Sequence, residues 1–310
     1  MSEFEPAALV ELDPSEVLKD EAEPQVEIPQ DAIIEEDGVE YVDIEVEEES
    51  EEEEYSIYDG LTPEEAERKK AFIEARRARI IGMRDRYRAL RANVDAICER
   101  CGRDPKEVKI VAVSKTVKAP EVQEAIMAGI TDFAENRPNI IVQKAAIFPE
   151  VNWHYIGPLE TKTCRDVVPC SEIVHSADSL DILTVLHTRA SIANTTQKVL
   201  LEINVTGEPT KRGLHPRNID GALRSIGFWP NLECVGFMTM APKDDPEGAR
   251  AAFSGLRALM NKYKDKYKGK DNIKLTELSM GMSDDYEIAI EEGATILRIG
   301  RAIFDENYGK

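Results

Sequence analysis

The chain has 310 residues, of which 42% are hydrophobic and 32% are charged, and its formal net charge is −21. This length suits one large domain or two small ones. No apolar run reaches the ~18 residues that a membrane-spanning helix needs, and the N-terminus lacks the basic and then apolar pattern of a signal peptide. We therefore expect a cytoplasmic protein.

The negative charge is concentrated at the N-terminus. Residues 1–60 contain 24 Asp and Glu and one Lys, whereas residues 61–310 contain 36 Asp and Glu and 38 Lys and Arg. In "EVEEESEEEEY", residues 45–55, like charges repel and too few apolar groups are present to offset the chain entropy. We predict that residues 1–59 form a disordered acidic tail, either a solubilising bristle or an arm that binds a partner protein or mimics nucleic acid. The near-neutral body indicates neither nucleic acid nor a membrane surface as its partner.

A long helix, or a broken pair of helices, is predicted over residues 62–101. Thr62 is a good N-cap, Pro63 occupies the first helical position, and Gly102 stops the helix.

Two of the five cysteines, Cys98 and Cys101, form a CxxC motif near the end of this predicted helix. A zinc site is not expected, because no second close pair and no nearby His accompany the motif. Ordinary thiols at a helix end are one interpretation, and a redox pair is the other.

After this helix, short β-branched runs alternate with amphipathic segments such as "APEVQEAIMAG" and "DDYEIAIEEG". The β-branched runs are continuous and apolar, as expected when both faces of a parallel sheet are covered. About eight such units in roughly 200 residues predict an α/β fold, a single (β/α)₈ TIM-like barrel with an extra N-terminal helix, in a domain spanning residues 60–310. A doubly wound open sheet is the alternative, but no Gly-rich dinucleotide or phosphate-binding loop supports it. The predicted strands are Lys109–Ser114, Asp132–Glu135, Trp153–Gly157, Ile173–Ser176, Val199–Val205, Glu233–Met238, Glu277–Gly281 and Leu297–Gly300.

Functional residues of such barrels cluster at the carboxyl ends of the strands. At those positions the sequence has one lysine, a turn rich in Ser and Gly, and an arginine pair. It has no carboxylate dyad, no Ser-His-Asp set and no metal-binding cluster. We therefore predict a binding site and assign neither catalytic nor metal-ligating residues. The candidate residues are Lys115, Asn136, Met238, Ser279, Gly281, Arg298, Gly300 and Arg301.

This set of residues suits an anionic aldehyde cofactor. Burial disfavours the charge of an amine, so a Lys115 that is partly desolvated at a barrel mouth would offer a neutral amine that condenses with an aldehyde to a Schiff base. The segment "LSMGMSDDYEIAI" supplies hydroxyls, backbone N–H groups and a following helix N-terminus, which together make an anion site. The segment "LRIGRAIF" adds cationic donors. Because the first, seventh and eighth strands are neighbours in a closed barrel, the amine and the anion site would meet.

The sequence resembles the pyridoxal-phosphate homeostasis proteins, which are single-domain relatives of the barrel domain of alanine racemases. The resemblance extends from about residue 80 to residue 304. It is carried by "VAVSKTV", "FAENR", "WHYIG", "INVTGEPTKRG", "GFMTMAP" and "LSMGMSDDYEIAIEEGATILRIGRAIF". It implies pyridoxal 5′-phosphate (PLP) as the cofactor and Lys115 as the lysine that holds it as a Schiff base.

The resemblance also implies positions for other residues. Ser279, Gly281 and Gly300 would surround the phosphate together with neighbouring backbone. By analogy with the racemase barrel, Arg298 would face the pyridine nitrogen, where a cation keeps that nitrogen unprotonated and weakens the ring as an electron sink. Two further side chains would lie near the cofactor, those of Asn136 and Met238.

Several positions depart from the family pattern. Ala134 replaces the usual Gly before "EN", and "GPLETKT" replaces the common "GHLQ" or "GALQ" segment. Arg301 stands where the family commonly has Ser or Thr. Its guanidinium could bind the phosphate through two parallel hydrogen bonds, crowd the site or turn outward.

Members of the family look like carriers or regulators that bind the cofactor and keep its pool in order. Racemases need a second, β-rich domain that brings an acid/base tyrosine, and only "DENYGK" follows Phe304. We therefore expect a PLP-binding homeostasis protein rather than an enzyme, acting as a monomer or a dimer. Two alternatives stay open: a PLP-dependent racemase or decarboxylase, and a divergent barrel scaffold whose acidic tail binds a protein partner.

Overall fold

Eight parallel strands close into a barrel in the order β1 to β8, and β8 pairs with β1. The structure is a computed structural model that describes residues 60–207 and 212–309. The predicted acidic tail, residues 1–59, lies outside the described residues, as does the "EPTK" part of the "INVTGEPTKRG" motif. The predicted barrel is confirmed, and the open-sheet alternative is wrong. The strands are β1 Lys109–Val113, β2 Asp132–Glu135, β3 Asn152–Tyr155, β4 Ile173–Ala177, β5 Gln197–Glu202, β6 Leu232–Met238, β7 Ile273–Ser279 and β8 Ile296–Ile299.

The predicted N-terminal helix is confirmed as one continuous helix, α1, spanning Pro63–Arg100. Its start is fixed by a capping box, in which the Thr62 hydroxyl accepts the Glu65 N–H and the Glu65 carboxylate accepts the Thr62 N–H. Cys98 is buried in its last turn, Cys101 follows as the C-cap, and both are free thiols. The remaining helices are α2 Ala119–Met127, α3 Pro138–Ile147, α4 Cys164–Val167, α5 Leu180–Ile192, α6 Ile219–Ile226, α7 Pro246–Lys266, α8 Tyr286–Glu291 and α9 Arg301–Phe304.

Helix α1 forms hydrogen bonds with α2, which follows β1, and with α9, which follows β8. On α2, the buried Glu124 carboxylate accepts a hydrogen bond of 2.6 Å from Arg79 Nη2. On α9, the Ile303 carbonyl accepts a hydrogen bond of 2.8 Å from Arg86 Nε. The extra helix therefore supports the part of the rim that carries Lys115 and Gly300.

The hydrophobic core has two parts, as the alternation of side chains along each strand requires. In β1, Ile110 and Ala112 belong to a large cluster between the strands and the surrounding helices. Val111 and Val113 belong to a smaller cluster inside the barrel, which also contains Met238. In the described part of the chain, none of the helices is long and apolar enough to cross a membrane.

Three predicted strand ends are wrong by two or three residues. The predicted Val199–Val205 ends at Glu202, because the chain turns where the Asn204 carbonyl accepts the Gly207 N–H at 3.2 Å. The third predicted strand ends at Tyr155 rather than Gly157, and the seventh at Ser279 rather than Gly281. These rim residues therefore lie beyond the regular strands, although the Gly281 carbonyl still accepts the Arg298 N–H at 3.0 Å.

Candidate functional site

Strand β1 brings Ser114 and Lys115 to the rim. Ser114 is fully buried, whereas Lys115 is exposed, and the turn closes where the Val117 N–H donates to the Ser114 carbonyl at 3.1 Å. Among the residues that the structure describes, no side chain forms a hydrogen bond or ion pair with the Lys115 amine. The predicted partial desolvation of Lys115 is wrong, because the side chains around the amine leave it open to solvent.

A buried ion pair lies beneath this turn. Lys144 Nζ, on α3, is 2.6 Å from Glu135 Oε1, at the end of β2, and both side chains are buried. The same ammonium donates to the Ser114 carbonyl at 2.9 Å and to the Val117 carbonyl at 2.8 Å. The Ser114 hydroxyl also donates to Glu135 Oε1, at 2.7 Å. The backbone on both sides of Lys115 is thus fixed by charge-assisted hydrogen bonds.

Two glycines form a narrow cradle next to the lysine turn. Gly281 has a φ of +92°, and a Cβ there would lie 2.6 Å from the Ala289 Cβ. A Cβ on Gly300 would lie 3.3 Å from the Val113 carbonyl oxygen, at the end of β1. The turn after β8 therefore approaches the end of β1 closely at Gly300, whereas the turn after β7 has no room for a side chain at Gly281 because it packs on α8; both turns present backbone.

Arg298 projects from β8 into the barrel interior and is buried. Its Nη1 donates to Ser279 Oγ at 2.7 Å and its Nη2 to the Thr239 carbonyl at 3.0 Å. Burial lowers the pKa of Arg298 to about 10, while Asp285 and Glu202 act in the opposite direction. The guanidinium therefore stays cationic at neutral pH.

A chain of hydrogen-bonded polar side chains extends from the Ser279 hydroxyl toward the base of the barrel. Ser279 Oγ is 2.9 Å from His175 Nδ1, and His175 Nε2 is 3.0 Å from His154 Nδ1. His154 Nε2 is 3.4 Å from Asp132 Oδ1, which also accepts a hydrogen bond of 2.9 Å from Lys109 Nζ. The chain connects the base of β1 and β2 with the rim at β7 and β8.

The charges at the ends of the chain determine where its protons lie. Burial acts to raise the pKa of Asp132, but hydrogen bonds from His154 and other donors outweigh it and hold that pKa below its usual range. Burial, the neighbouring imidazole and the Arg298 guanidinium keep the pKa of His175 well below its usual range, so this ring is neutral. With Asp132 ionised, His154 Nε2 donates to it. When the His154 ring carries only this proton, its Nδ1 accepts from His175 Nε2, and His175 Nδ1 accepts from the Ser279 hydroxyl.

The structure gives each remaining candidate residue a distinct place. Met238 is buried in the barrel interior and Asn136 is half-buried at the end of β2. The exposed Arg301 guanidinium forms an ion pair with Asp284 and lies 5.5 Å from the ring of Tyr308. Of the three open alternatives for Arg301, the observed one is the outward position.

Strand pairing brings Lys115, Gly281, Arg298 and Gly300 to one side of the rim, because β1 pairs with β8 and β8 with β7. Asn136 and Met238 lie at the ends of other strands. Ser279 lies deeper, with its hydroxyl engaged by Arg298 and His175. The contacts of these residues with a cofactor stay predictions.

Sequence reasoning missed four polar residues around the rim and interior. The sequence alone marks Lys144 as an ordinary lysine of an amphipathic helix, and it separates His154 from His175 by 21 residues without a ligand spacing. Glu202 has one usable signal, since it is a carboxylate ending the apolar run "KVLLE". A predicted buried strand that ends in a charged residue at a barrel rim is a site candidate.

Comparisons with known proteins identify the family of the chain. The sequence profile of the alanine racemase N-terminal domain family matches residues 86–307. The pyridoxal phosphate homeostasis protein of Aquifex aeolicus is 36% identical over 216 residues, which are 69% of this chain and 93% of that protein. The protein of the same name from Pseudomonas aeruginosa is 37% identical over 222 residues, covering 70% of this chain and 93% of the relative.

Solved structures give the same picture. PipY of Synechococcus elongatus, solved with PLP bound, has a TM-score of 0.63 at 28% identity, covering 72% of this chain and 99% of PipY. An unknown protein from Bifidobacterium adolescentis has a TM-score of 0.69 at 32% identity, covering 73% and 96% of the two chains. Alanine racemase from Streptomyces coelicolor, at 18% identity and a TM-score of 0.54, covers 69% of this chain and 57% of the racemase and shares the fold. The chain therefore belongs to the alanine racemase N-terminal domain family and, within it, to the pyridoxal phosphate homeostasis proteins.

Proposed function

We propose that this protein binds PLP through Lys115 and serves the homeostasis of that cofactor, with residues 60–310 as the binding domain. The observation that carries the proposal is the exposed Lys115 amine, which has no partner in the described part of the chain and stands beside the cradle of Gly281 and Gly300. The names of the Aquifex and Pseudomonas relatives and the PLP-bound PipY structure support it. When bound, PLP supplies an aldehyde that a lysine amine captures as a Schiff base.

The residues present fit such a group. Turns that present backbone without side chains suit a phosphate held by backbone N–H groups, and the Gly281 and Gly300 turns, on the strands that neighbour β1, are of this kind. The Arg298 guanidinium, held by Ser279 Oγ and the Thr239 carbonyl, would face the pyridine nitrogen and disfavour its protonation. Arg298 would therefore orient the ring while weakening it as an electron sink, which suits a protein that holds the cofactor.

A second candidate function, a racemase or decarboxylase, requires an acid/base group at the rim. Tyr155 does not suit this role, since its hydroxyl donates to the Pro158 carbonyl at 3.1 Å and burial raises its pKa. Glu202 favours the candidate, because burial raises its pKa to about 7. Exchange of the α-proton of common amino acids in D₂O by the PLP-loaded protein, lost in Glu202→Gln, would support an enzyme; no exchange would exclude it.

The experiment that tests the proposed function is an ultraviolet–visible spectrum of the purified protein with PLP, before and after borohydride reduction, followed by mapping of the modified peptide. We expect a Schiff-base band, and reduction should fix the cofactor on Lys115. The band should vanish in Lys115→Ala and persist in the control Lys118→Ala, which removes an exposed lysine three residues further along. A wild-type protein that takes up no PLP, or a label on another lysine, would contradict the proposal.

A further inference from the structure

A cavity of about 280 Å³ opens at the rim between the ends of β5 and β6. Its described walls include Glu202, Arg212 and Thr239, together with the aliphatic side chains of Val205 and Ala252. None of the residues proposed to bind PLP lines it. Its volume suits a small metabolite rather than a molecule the size of a nucleotide.

The bottom of this cavity contains a buried carboxyl group without a partner. Glu202 ends β5 and alternates with Leu200, whose side chain packs inside the barrel, so the Glu202 side chain points to the same interior. Glu202 is 6% exposed, and across residues 60–207 and 212–309 it accepts no hydrogen bond and forms no ion pair. Burial of a polar group without a partner is costly, so a ligand that donates hydrogen bonds here would satisfy it.

A guanidinium lies at the outer edge of the same cavity. The Arg212 side chain is 56% exposed, and its Nη1 is 3.7 Å from Asp178 Oδ2, which is beyond hydrogen-bond distance. Since a guanidinium has five N–H donors, Arg212 can also bind an anion in the cavity. Two other charged side chains act on Glu202 in opposite directions. The Asp178 carboxylate raises the pKa of Glu202, and the Arg298 guanidinium lowers it. The cavity therefore offers a carboxylate below, a guanidinium above and no large net charge.

We propose that this cavity is a second ligand site, which binds a small aliphatic amino acid as a zwitterion. The ammonium group binds Glu202, the carboxylate binds Arg212, and the side chain packs on Val205 and Ala252. This site goes beyond PLP binding and does not depend on it, because Lys115 does not take part.

The site is nevertheless connected to Arg298. Thr239 lines the cavity, its hydroxyl donates to the Ile203 carbonyl at 2.9 Å, and its own carbonyl accepts the hydrogen bond from Arg298 Nη2. A ligand on Glu202 also changes one of the two carboxyl groups, Asp285 and Glu202, that raise the pKa of that guanidinium. Binding in the cavity therefore alters the affinity for PLP, and PLP alters the affinity for the amino acid by the same factor.

The test is calorimetric titration of the whole chain carrying Lys115→Ala, so that no probe reacts with a bound aldehyde. The probes are L-valine, isobutylamine, which has only the ammonium group, and isovalerate, which has only the carboxylate. We expect valine to bind best. Glu202→Gln should weaken valine binding by about tenfold or more, and so should Arg212→Gln. The control Arg217→Gln, an exposed arginine outside the cavity, should leave binding unchanged.

Two further readouts complete the test. Because the ammonium needs an ionised Glu202, valine affinity should rise as the pH passes upward through about 7, with Asp178, Arg212 and Arg298 as the other charged groups in reach. Isobutylamine binding should depend on Glu202 and not on Arg212. If valine does not bind to wild-type protein at millimolar concentration, or binds equally well to Glu202→Gln, the cavity holds only water and the proposal is overturned. Loss of PLP uptake by wild-type protein would leave this result untouched.

Discussion

The substitution Lys144→Met tests whether the buried ion pair holds the Lys115 turn in place. Methionine fills a similar volume but carries neither charge nor donor. The change removes the hydrogen bonds to Glu135 Oε1 and to the carbonyls of Ser114 and Val117. It leaves Glu135 charged at 0% exposure, and its Oε2 already lacks a partner in the described part of the chain. Removal of one partner from a buried pair costs about 3–5 kcal/mol, and we expect the free energy of unfolding to fall by that amount.

Urea unfolding followed by circular dichroism measures this loss. The double variant Lys144→Met/Glu135→Gln also removes the stranded charge, so it should lose only about 1–2 kcal/mol through its unsatisfied carbonyls. The matched control is Lys274→Met, which breaks an exposed pair with Glu233 and should cost less than about 1 kcal/mol.

The rate of PLP uptake tests whether the Lys144–Glu135 ion pair also positions the Lys115 turn. If the pair fixes the lysine turn, both Lys144 variants should form the Schiff base more slowly than wild type, whereas the control should match it. A stability loss below about 1 kcal/mol for Lys144→Met would refute the energetic argument. Normal uptake by a destabilised variant would refute the positioning argument.

Two further predictions concern the rim. Burial raises the pKa of Glu202 from 4.5, its value in the unfolded chain, to about 7 in the folded protein. The free energy of unfolding of the wild type therefore falls as the pH rises through that range, because the unfolded chain releases the proton at lower pH. Glu202→Gln should therefore stabilise the protein by about 3 kcal/mol at about pH 8 and by almost nothing at about pH 4; equal effects in urea unfolding at both pH values would contradict the buried, unpaired carboxyl. Because Arg301 is exposed and paired with Asp284, Arg301→Ser should change both stability and PLP affinity by less than about 1 kcal/mol. A tenfold weaker PLP titration would show that the guanidinium turns inward to the phosphate.

The barrel could be predicted from the sequence because its strands are buried on both faces and therefore read as separate apolar runs. The predicted strand Lys109–Ser114 matches β1 within one residue, whereas Val199–Val205 misses the observed start of β5 by two residues and its end by three. The strand ends could not be predicted as well, since they depend on turns rather than on hydrophobicity. At β5, for example, the chain leaves the ladder because of a backbone hydrogen bond between Asn204 and Gly207.

A candidate site was predictable where a residue type and a strand end coincide, as at Lys115 and Arg298, whose contacts with a cofactor stay predictions. It was not predictable where the chemistry depends on contacts between strands. His154 and His175 meet because β3 pairs with β4, with His154 opposite Ile173, and nothing in their spacing announces the contact. Lys144 is equally ordinary in sequence, and only the packing of α3 on the end of β2 makes it a buried cation.

The polar chain inside the barrel has a direction of its own. When His154 carries a proton only on Nε2, every link donates toward the base, from Arg298 through Ser279, His175 and His154 to Asp132, and the charges at both ends then order the three protons in the middle. If Asp132 lost its charge, the single acceptor that orders them would be gone, and all three could reverse together. A change at the base of the barrel, the end usually associated with stability alone, would then reach Ser279 and Arg298 near the rim as a reversal of polarity.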